Sequence, residues 1–385
     1  MIYFDYAATT PIDKRVIKSM APFLNEKFGN PSSMHSFSGD TKKALEKSRS
    51  IIAKAINANS EEIIFTSSAT ESNNMALKGI AFAKKSGHIL VSSIEHDCVL
   101  NTAKWLGKNG FEVEFLPVNR DGIVDPKEVE KRIKKNTILV SVMHVNNEIG
   151  TIQPIEKIGR ICKKNNIYFH SDAAQSFSKI PIDITNIDLL TISSQKIYGP
   201  KGAAALFIKG GVKIEPLLHG GGQEKGLRSS TENVPAIVGF AKATEIAIST
   251  MEKEQERLTK LRDKIIEKLT KEVPNCYLNG HRTKRVSNNI NIRFSFIEGE
   301  AILFMLNSYG IAVSTASACS SPKLEPSHVL SAMGLKQEEA HGSIRISLGR
   351  MTKESEVNYL LKVLPEVVKK LREISPHKWT IQKKY

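Results

Sequence analysis

Cysteine is scarce in this sequence. There are four in 385 residues, Cys98, Cys162, Cys276 and Cys319, widely separated and with no CxxC pair. That pattern excludes a disulfide framework and a zinc knuckle, and it fits a reducing compartment. Aromatic residues make up only 6% of the chain, and none interleaves a basic run. The net charge of +15 is therefore read as a lysine-rich solvated surface, with doublets such as Lys42-Lys43, Lys84-Lys85 and Lys134-Lys135 scattered among helix-patterned residues. Direct nucleic-acid binding is not expected. No apolar stretch is expected to reach membrane-spanning length. The opening Met1-Ile-Tyr-Phe-Asp-Tyr has no basic segment followed by an apolar one, so no secretion signal is expected either. Together these absences point to a cytoplasmic protein without a membrane partner.

What is present is ordinary globular composition, 41% hydrophobic and 25% charged, in a chain long enough for two cores. Short β-branched runs alternate with amphipathic helical patterns. Strands are expected at 62–66, 88–93, 111–117, 137–143, 167–172, 187–192 and 202–209. Helices are expected at 13–24, 38–56, 96–108, 125–134 and 154–165, with a further helix after Thr66. Such alternation with near-continuous apolar strands predicts an α/β fold with a mostly parallel sheet between helices. A long helical pattern, 233–269, leads into a compact α+β unit. The organisation read from this is a large domain, 12–260, and a small domain formed by 1–11 and 261–385.

Ligands of such sheets bind beyond the carboxyl ends of the strands, and several chemistry-bearing residues fall there. Lys196 follows a buried strand and enters a Gly-Pro turn. Desolvation there lowers an amine's pKa towards a nucleophile suited to Schiff-base chemistry with a carbonyl cofactor. Asp172 closes the preceding strand, where a buried carboxylate needs a partner such as a protonated ring nitrogen. Ala69 and Thr70 open a helix whose N-terminus forms an anion cradle, to which Ser193 and Gln195 can add donors. His96 starts another helix and suits stacking or proton transfer. Arg345 alternates on a strand and can grip a carboxylate with its fork. Cys319 lies in a run of small residues, Ser314 to Lys323, which predicts a mobile surface loop. Singly each has a bland reading: a solvated lysine, a capping Asp, a capping box, a surface histidine, a structural salt bridge, an idle thiol.

As a set they resemble the cysteine desulfurases of the NifS/IscS type, in the class V aminotransferase family of fold-type I pyridoxal phosphate enzymes. The matching stretches are ordered along nearly the whole chain. They include Tyr3-Phe-Asp-Tyr-Ala-Ala-Thr-Thr-Pro11, Gly29-Asn-Pro31, Ala69-Thr-Glu-Ser-Asn-Asn74, Glu95-His96, Asn146-Asn-Glu-Ile-Gly150 and His170-Ser-Asp-Ala-Ala-Gln175. Lys196-Ile-Tyr-Gly-Pro-Lys-Gly202, Gly220-Gly-Gly-Gln-Glu224, Ser317-Ala-Cys-Ser320 and Leu324-Glu-Pro-Ser-His328 complete the series. The resemblance implies a seven-stranded, mostly parallel sheet in the large domain and pyridoxal 5'-phosphate as cofactor. It implies that Lys196 holds the cofactor and moves protons, Asp172 pairs its ring nitrogen, Gln175 bonds its phenolic oxygen and His96 stacks on its ring. Ala69, Thr70, Ser193 and Gln195 are the implied phosphate site, with Thr231 reaching across from a second subunit of a homodimer. Asn147 and Arg345, with Asn30 nearby, are the implied site for the substrate carboxylate, and Cys319 the nucleophile that takes sulfur from L-cysteine. No resident metal is implied, although Cys319 is an implied transient ligand of an iron-sulfur cluster.

The extended span between Cys319 and Arg345 resembles the subgroup that delivers sulfur to a U-type iron-sulfur scaffold or to tRNA thiolation. A selenocysteine lyase or another class V enzyme of the same fold is the alternative, and Ser375 to Tyr385 is a candidate docking tail. Three positions depart from the pattern. Gln195 replaces a common histidine; its amide donates to phosphate but brings no charge, which predicts weaker cofactor retention. Ser68 and Ser230 stand where glycine is common, so serine must tolerate those turns.

Overall fold

A computed structural model describes residues 1–315 and 326–375. Cys319 and the tail from 376 onward lie outside the described residues. Seven strands form the main sheet, in the spatial order Ile63–Thr66, Ala204–Ile208, Leu189–Ser193, Tyr168–Asp172, Thr137–Ser141, His88–Ser92 and Glu112–Leu116. All share one direction except Ala204–Ile208, which is antiparallel to both neighbours. The connection 194–203 is too short for a crossover, so the chain after Leu189–Ser193 must turn straight back. Ile63–Thr66, Leu189–Ser193 and Ala204–Ile208 are buried at every position, which is why they read as unbroken apolar runs.

A second sheet of four antiparallel strands orders Ser314–Thr315, Ser343–Ser347, Asn289–Phe294 and Cys276–Leu278. Ile2–Tyr3 pairs in parallel with Ile311–Ala312. One core holds Phe4 together with apolar residues from Leu258 to Leu371, so the N-terminal arm packs with the smaller unit. The helix Val234–Glu272 joins the two: Ala236, Ile237 and Phe240 enter the core of the large sheet, and Leu261, Ile265 and Leu269 enter the other. Against expectation, this helix is long and apolar enough to cross a membrane by length and composition. Since 56% of its most apolar window is buried inside the protein, core packing accounts for that apolarity.

Local boundaries shift where a specific residue intervenes. The helix expected over 13–24 is Lys14–Met20, N-capped by Asp13, and gives way to the 3₁₀ turn Ala21–Phe23. Pro22 has no N–H to continue the α-helical ladder. Ser68 has φ −163°, an extended backbone that any residue adopts, so serine is unstrained there.

A buried ion pair ties the helix Ser38–Ala55 to the segment around Glu224. Arg49 Nη1 and Nη2 donate to Glu224 Oε2 and Oε1 at 2.7 and 2.8 Å, and Phe65 N donates to the same carboxylate at 2.7 Å. The two side chains are 5% and 2% exposed. Glu224→Ala leaves the buried Arg49 guanidinium with only Glu46 and the Ile63 carbonyl as partners and removes the acceptor of Phe65 N. It is expected to cost about 3–5 kcal/mol, seen as an earlier denaturant midpoint; an unchanged midpoint would refute the role.

Candidate active site

Asp172 and Lys196 mark the carboxyl ends of neighbouring parallel strands. Asp172 is buried, and two donors hold its carboxylate: Asn73 Nδ2 on Oδ2 at 2.7 Å and Ala174 N on Oδ1 at 2.8 Å. Those two bonds orient both oxygens, and each retains a lone pair for a further donor. Asn73 is fully buried on the helix Ala69–Lys84, and its Oδ1 has no partner. That helix packs against Tyr168–Asp172 and Leu189–Ser193. Its first turn therefore brings Ala69 and Thr70 close to the strand ends. The first N–H groups of such a helix have no intrahelical partner and carry partial positive charge. Ser68 caps the helix through Glu71 N at 3.2 Å, and Glu71 is paired with Arg228 Nε at 2.6 Å, so its charge does not oppose an anion unscreened. Ser193 is buried at the adjacent strand end, whereas Gln195 is half-buried in the turn Ser194–Lys196.

The N-terminal arm closes one side. Lys196 Nζ donates to Ala7 O at 2.8 Å and to Ala8 O at 2.5 Å, and Gln175 Nε2 donates to Ala7 O at 2.9 Å. Thr10 secures the same turn, donating to Gln195 O at 2.9 Å and accepting from Tyr198 N at 2.8 Å. Gly199 is required beyond it, since a Cβ would lie 2.1 Å from Ser194 Oγ.

His96 caps the helix Asp97–Lys108, its Nδ1 accepting from Cys98 N at 3.2 Å and lying 3.1 Å from Cys98 Sγ. Asn73 Nδ2 reaches that sulfur at 3.2 Å, so Asn73 links Cys98 to Asp172. Burial, reinforced by the charge of Asp172, pushes the Cys98 thiol up to about 12 despite hydrogen bonds from Asn73 and Thr70. The Cys98 thiol is therefore a protonated, inert one.

Arg345 is buried on Ser343–Ser347, donating from Nη2 to Asp5 Oδ1 at 2.8 Å and from Nη1 to Asn147 O at 3.1 Å. Its Nε has no partner. Asn147 lies in a turn tied down by Asn146, which accepts from Glu148 N and Ile149 N and donates to Ile94 O at 2.8 Å. The structure thus joins Arg345, Asn147 and the His96 turn. Glu148 is buried, which raises its carboxyl to about 7, and it accepts from Ser327 Oγ. Ser327 caps the helix His328–Ala332, and His328 Nε2 lies 2.9 Å from Glu95 O. Ser327 and His328 are thereby fastened to the turns that hold Asn147 and His96. Asn30 and Thr231 stand apart: both are exposed, and Asn30 Oδ1 accepts from Ser32 N at 2.9 Å.

Sequence reasoning missed Asn73, Cys98 and Lys179, which donates to Gln175 Oε1 at 3.2 Å. A signal existed for two of them: Asn73 falls one helical turn after Ala69 and Thr70, and Lys179 four residues after Gln175. Among the described residues, no cluster of three His, Cys, Asp or Glu side chains fit to hold a metal occurs.

A mostly parallel α/β sheet with lysine and carboxylate at adjacent strand ends and a helix N-terminus alongside defines a fold-type I pyridoxal phosphate transferase architecture. The chain belongs to the aminotransferase class-V family, whose model matches residues 2–360. It is 54% identical to a protein named cysteine desulfurase IscS from Dictyoglomus turgidum, over all of this chain and 99% of that one. A solved NifS-like protein superposes with a TM-score of 0.90 at 41% identity, covering 96% of this chain and 100% of its own. A structure described as SspA in complex with cysteine gives a TM-score of 0.80 at 40% identity, covering 90% and 99%.

Proposed function

We propose that this protein is a cysteine desulfurase that uses pyridoxal 5'-phosphate to convert L-cysteine to L-alanine, leaving the sulfur as a persulfide on Cys319. The observation that carries the reading is the placement of Asp172 at the end of one strand and Lys196 just beyond the end of its parallel neighbour, in a chain so similar to cysteine desulfurases over its whole length. The donor set fits the cofactor: an amine, a carboxylate with spare acceptor capacity, and a helix N-terminus flanked by hydroxyls. Lys196, Asp172, Gln175, His96 and Asn147 would hold the ring. Ala69, Thr70, Ser193 and Gln195 would hold the phosphate, with Thr231 supplied by a second copy. When bound, the cofactor supplies an electron sink for the substrate α-carbon.

The chain's own groups do the rest. Arg345, with Asn147, grips the substrate carboxylate, and Lys196 Nζ moves the proton at Cα. The Cys319 thiolate attacks the substrate Sγ; the Cβ–Sγ bond breaks as the S–S bond forms, and protonation at Cβ gives alanine. The balance is L-cysteine plus Cys319–SH to L-alanine plus Cys319–S–SH.

Exposed apolar side chains close in sequence, Leu24, Phe28, Met34 and Phe37, each more than 60% exposed and with the two phenylalanine rings 5.8 Å apart, support a homodimer, since exposed apolar surface marks interfaces. We place the protein in the cytoplasm and take a U-type scaffold as sulfur acceptor, with Cys319 a transient cluster ligand; the long 319–345 span supports this. Incubation with L-cysteine and a reductant is expected to release alanine and sulfide in equal amounts, faster than L-selenocysteine yields alanine and selenide. A clear preference for L-selenocysteine, or formation of an oxo acid without sulfide, would overturn the assignment.

A further inference from the structure

Lys179 belongs to no role derived above, yet it is coupled to the reacting amine. After Asp172 the chain makes successive turns, and Ser178 takes φ +56°, a left-handed conformation uncommon for a non-glycine residue. That reversal accompanies the return of Lys179 to Gln175, where Nζ donates to Oε1 at 3.2 Å. With the amide oxygen occupied, the Gln175 NH₂ points the other way and donates to Ala7 O at 2.9 Å. The same carbonyl accepts from Lys196 Nζ at 2.8 Å. One hydrogen-bonded path therefore runs from Lys179 through Gln175 and Ala7 O to Lys196.

Both lysines also line a cavity of about 60 Å³ between the arm, the helix Val234–Glu272 and the Leu348–Arg350 segment. The other titratable groups on its wall are Tyr6, Tyr198, Glu254 and Arg350. Burial, and then repulsion from Lys196, lowers the Lys179 ammonium to about 7. Two amines crowd one poorly solvated space.

We propose that Lys179 is a positioning residue for the Lys196 amine: it fixes the orientation of the Gln175 amide, leaving the second N–H of that amide for the cofactor's phenolic oxygen, and, while protonated, places a second positive charge that disfavours protonation of the Lys196 nitrogen. The inference rests on the cofactor reading given above. The bland alternative is a lysine that only pins its own turn.

The two are separated by titrating the visible absorbance of the purified holoenzyme with pH. In Lys179→Met the midpoint of the spectral change is expected to rise by about one pH unit, the scale on which a nearby like charge acts. In Lys179→Arg, which keeps a positive charge, it should not rise. Lys179→Gln, which removes the charge and keeps an N–H for Gln175, should rise as Lys179→Met does; it also serves if the methionine variant fails to fold. Wild-type midpoints in both uncharged variants, with cofactor bound, would refute the inference. So would an equal rise in Lys179→Arg. A wild-type enzyme that binds no chromophore would sink the cofactor reading itself and the inference with it, an outcome distinct from unmoved midpoints in coloured variants.

Discussion

Cys319→Ala is expected to keep the cofactor absorbance and lose alanine and sulfide formation by at least about 10³-fold, the scale on which loss of a covalent nucleophile acts. The other thiols offer no substitute. Cys98 and Cys162 are both pushed up to about 12, chiefly by burial, so at neutral pH roughly one thiol in 10⁵ would be ionised. Cys98 lies beside His96 and is linked to Asp172 through Asn73, but its reactivity is suppressed by its surroundings. Cys276 is buried in the strand Cys276–Leu278 of the smaller sheet. Sulfide release at the wild-type rate from Cys319→Ala would mean that Cys319 is not the acceptor, and a lyase that expels the chalcogen directly would become the better reading.

The second large effect is expected at Lys196. Lys196→Ala should lower product formation by about 10²–10⁴-fold from loss of proton transfer alone, and more through loss of the covalent link to the cofactor. Borohydride reduction followed by mass spectrometry should add one cofactor to wild type and none to the variant. Because Lys196 also ties down Ala7 and Ala8, Lys196→Arg is the necessary companion. Arginine keeps the charge and can donate to those carbonyls, but it forms no imine under these conditions. If Lys196→Arg regains activity, the lysine acts through the arm; if it stays inactive with the arm ordered, the amine is the chemical group.

The strands that carry Asp172 and Lys196 were legible because buried parallel strands write themselves as continuous apolar runs. The reversal of Ala204–Ile208 was not written in that pattern; it follows from the length of the 194–203 connection. The bonds that complete the site were hidden for a different reason. Asn73 meets Asp172 across 99 positions, and Glu148 meets Ser327 across 179. No local periodicity encodes either, because both exist only once the helix and the turn are packed on the sheet. Burial likewise decides that Cys98 is inert, and burial is a property of the folded chain rather than of the dipeptide around it.

The arm that holds Lys196 has a consequence for the order in which the site is assembled. Ile2–Tyr3 pairs with Ile311–Ala312, Asp5 with Arg345, and Ala7 N with Ser347 Oγ. Asp5 and Ala7 must therefore wait for partners 340 positions later in the chain to take up their places. Contacts so distant in sequence form late and slowly. The large sheet, whose strands end at Ile208, can be made well before the lysine's carbonyl partners are fixed. A nascent chain would thus carry a formed sheet with its reactive amine still unfastened, and competence for chemistry would arrive as the final act of folding.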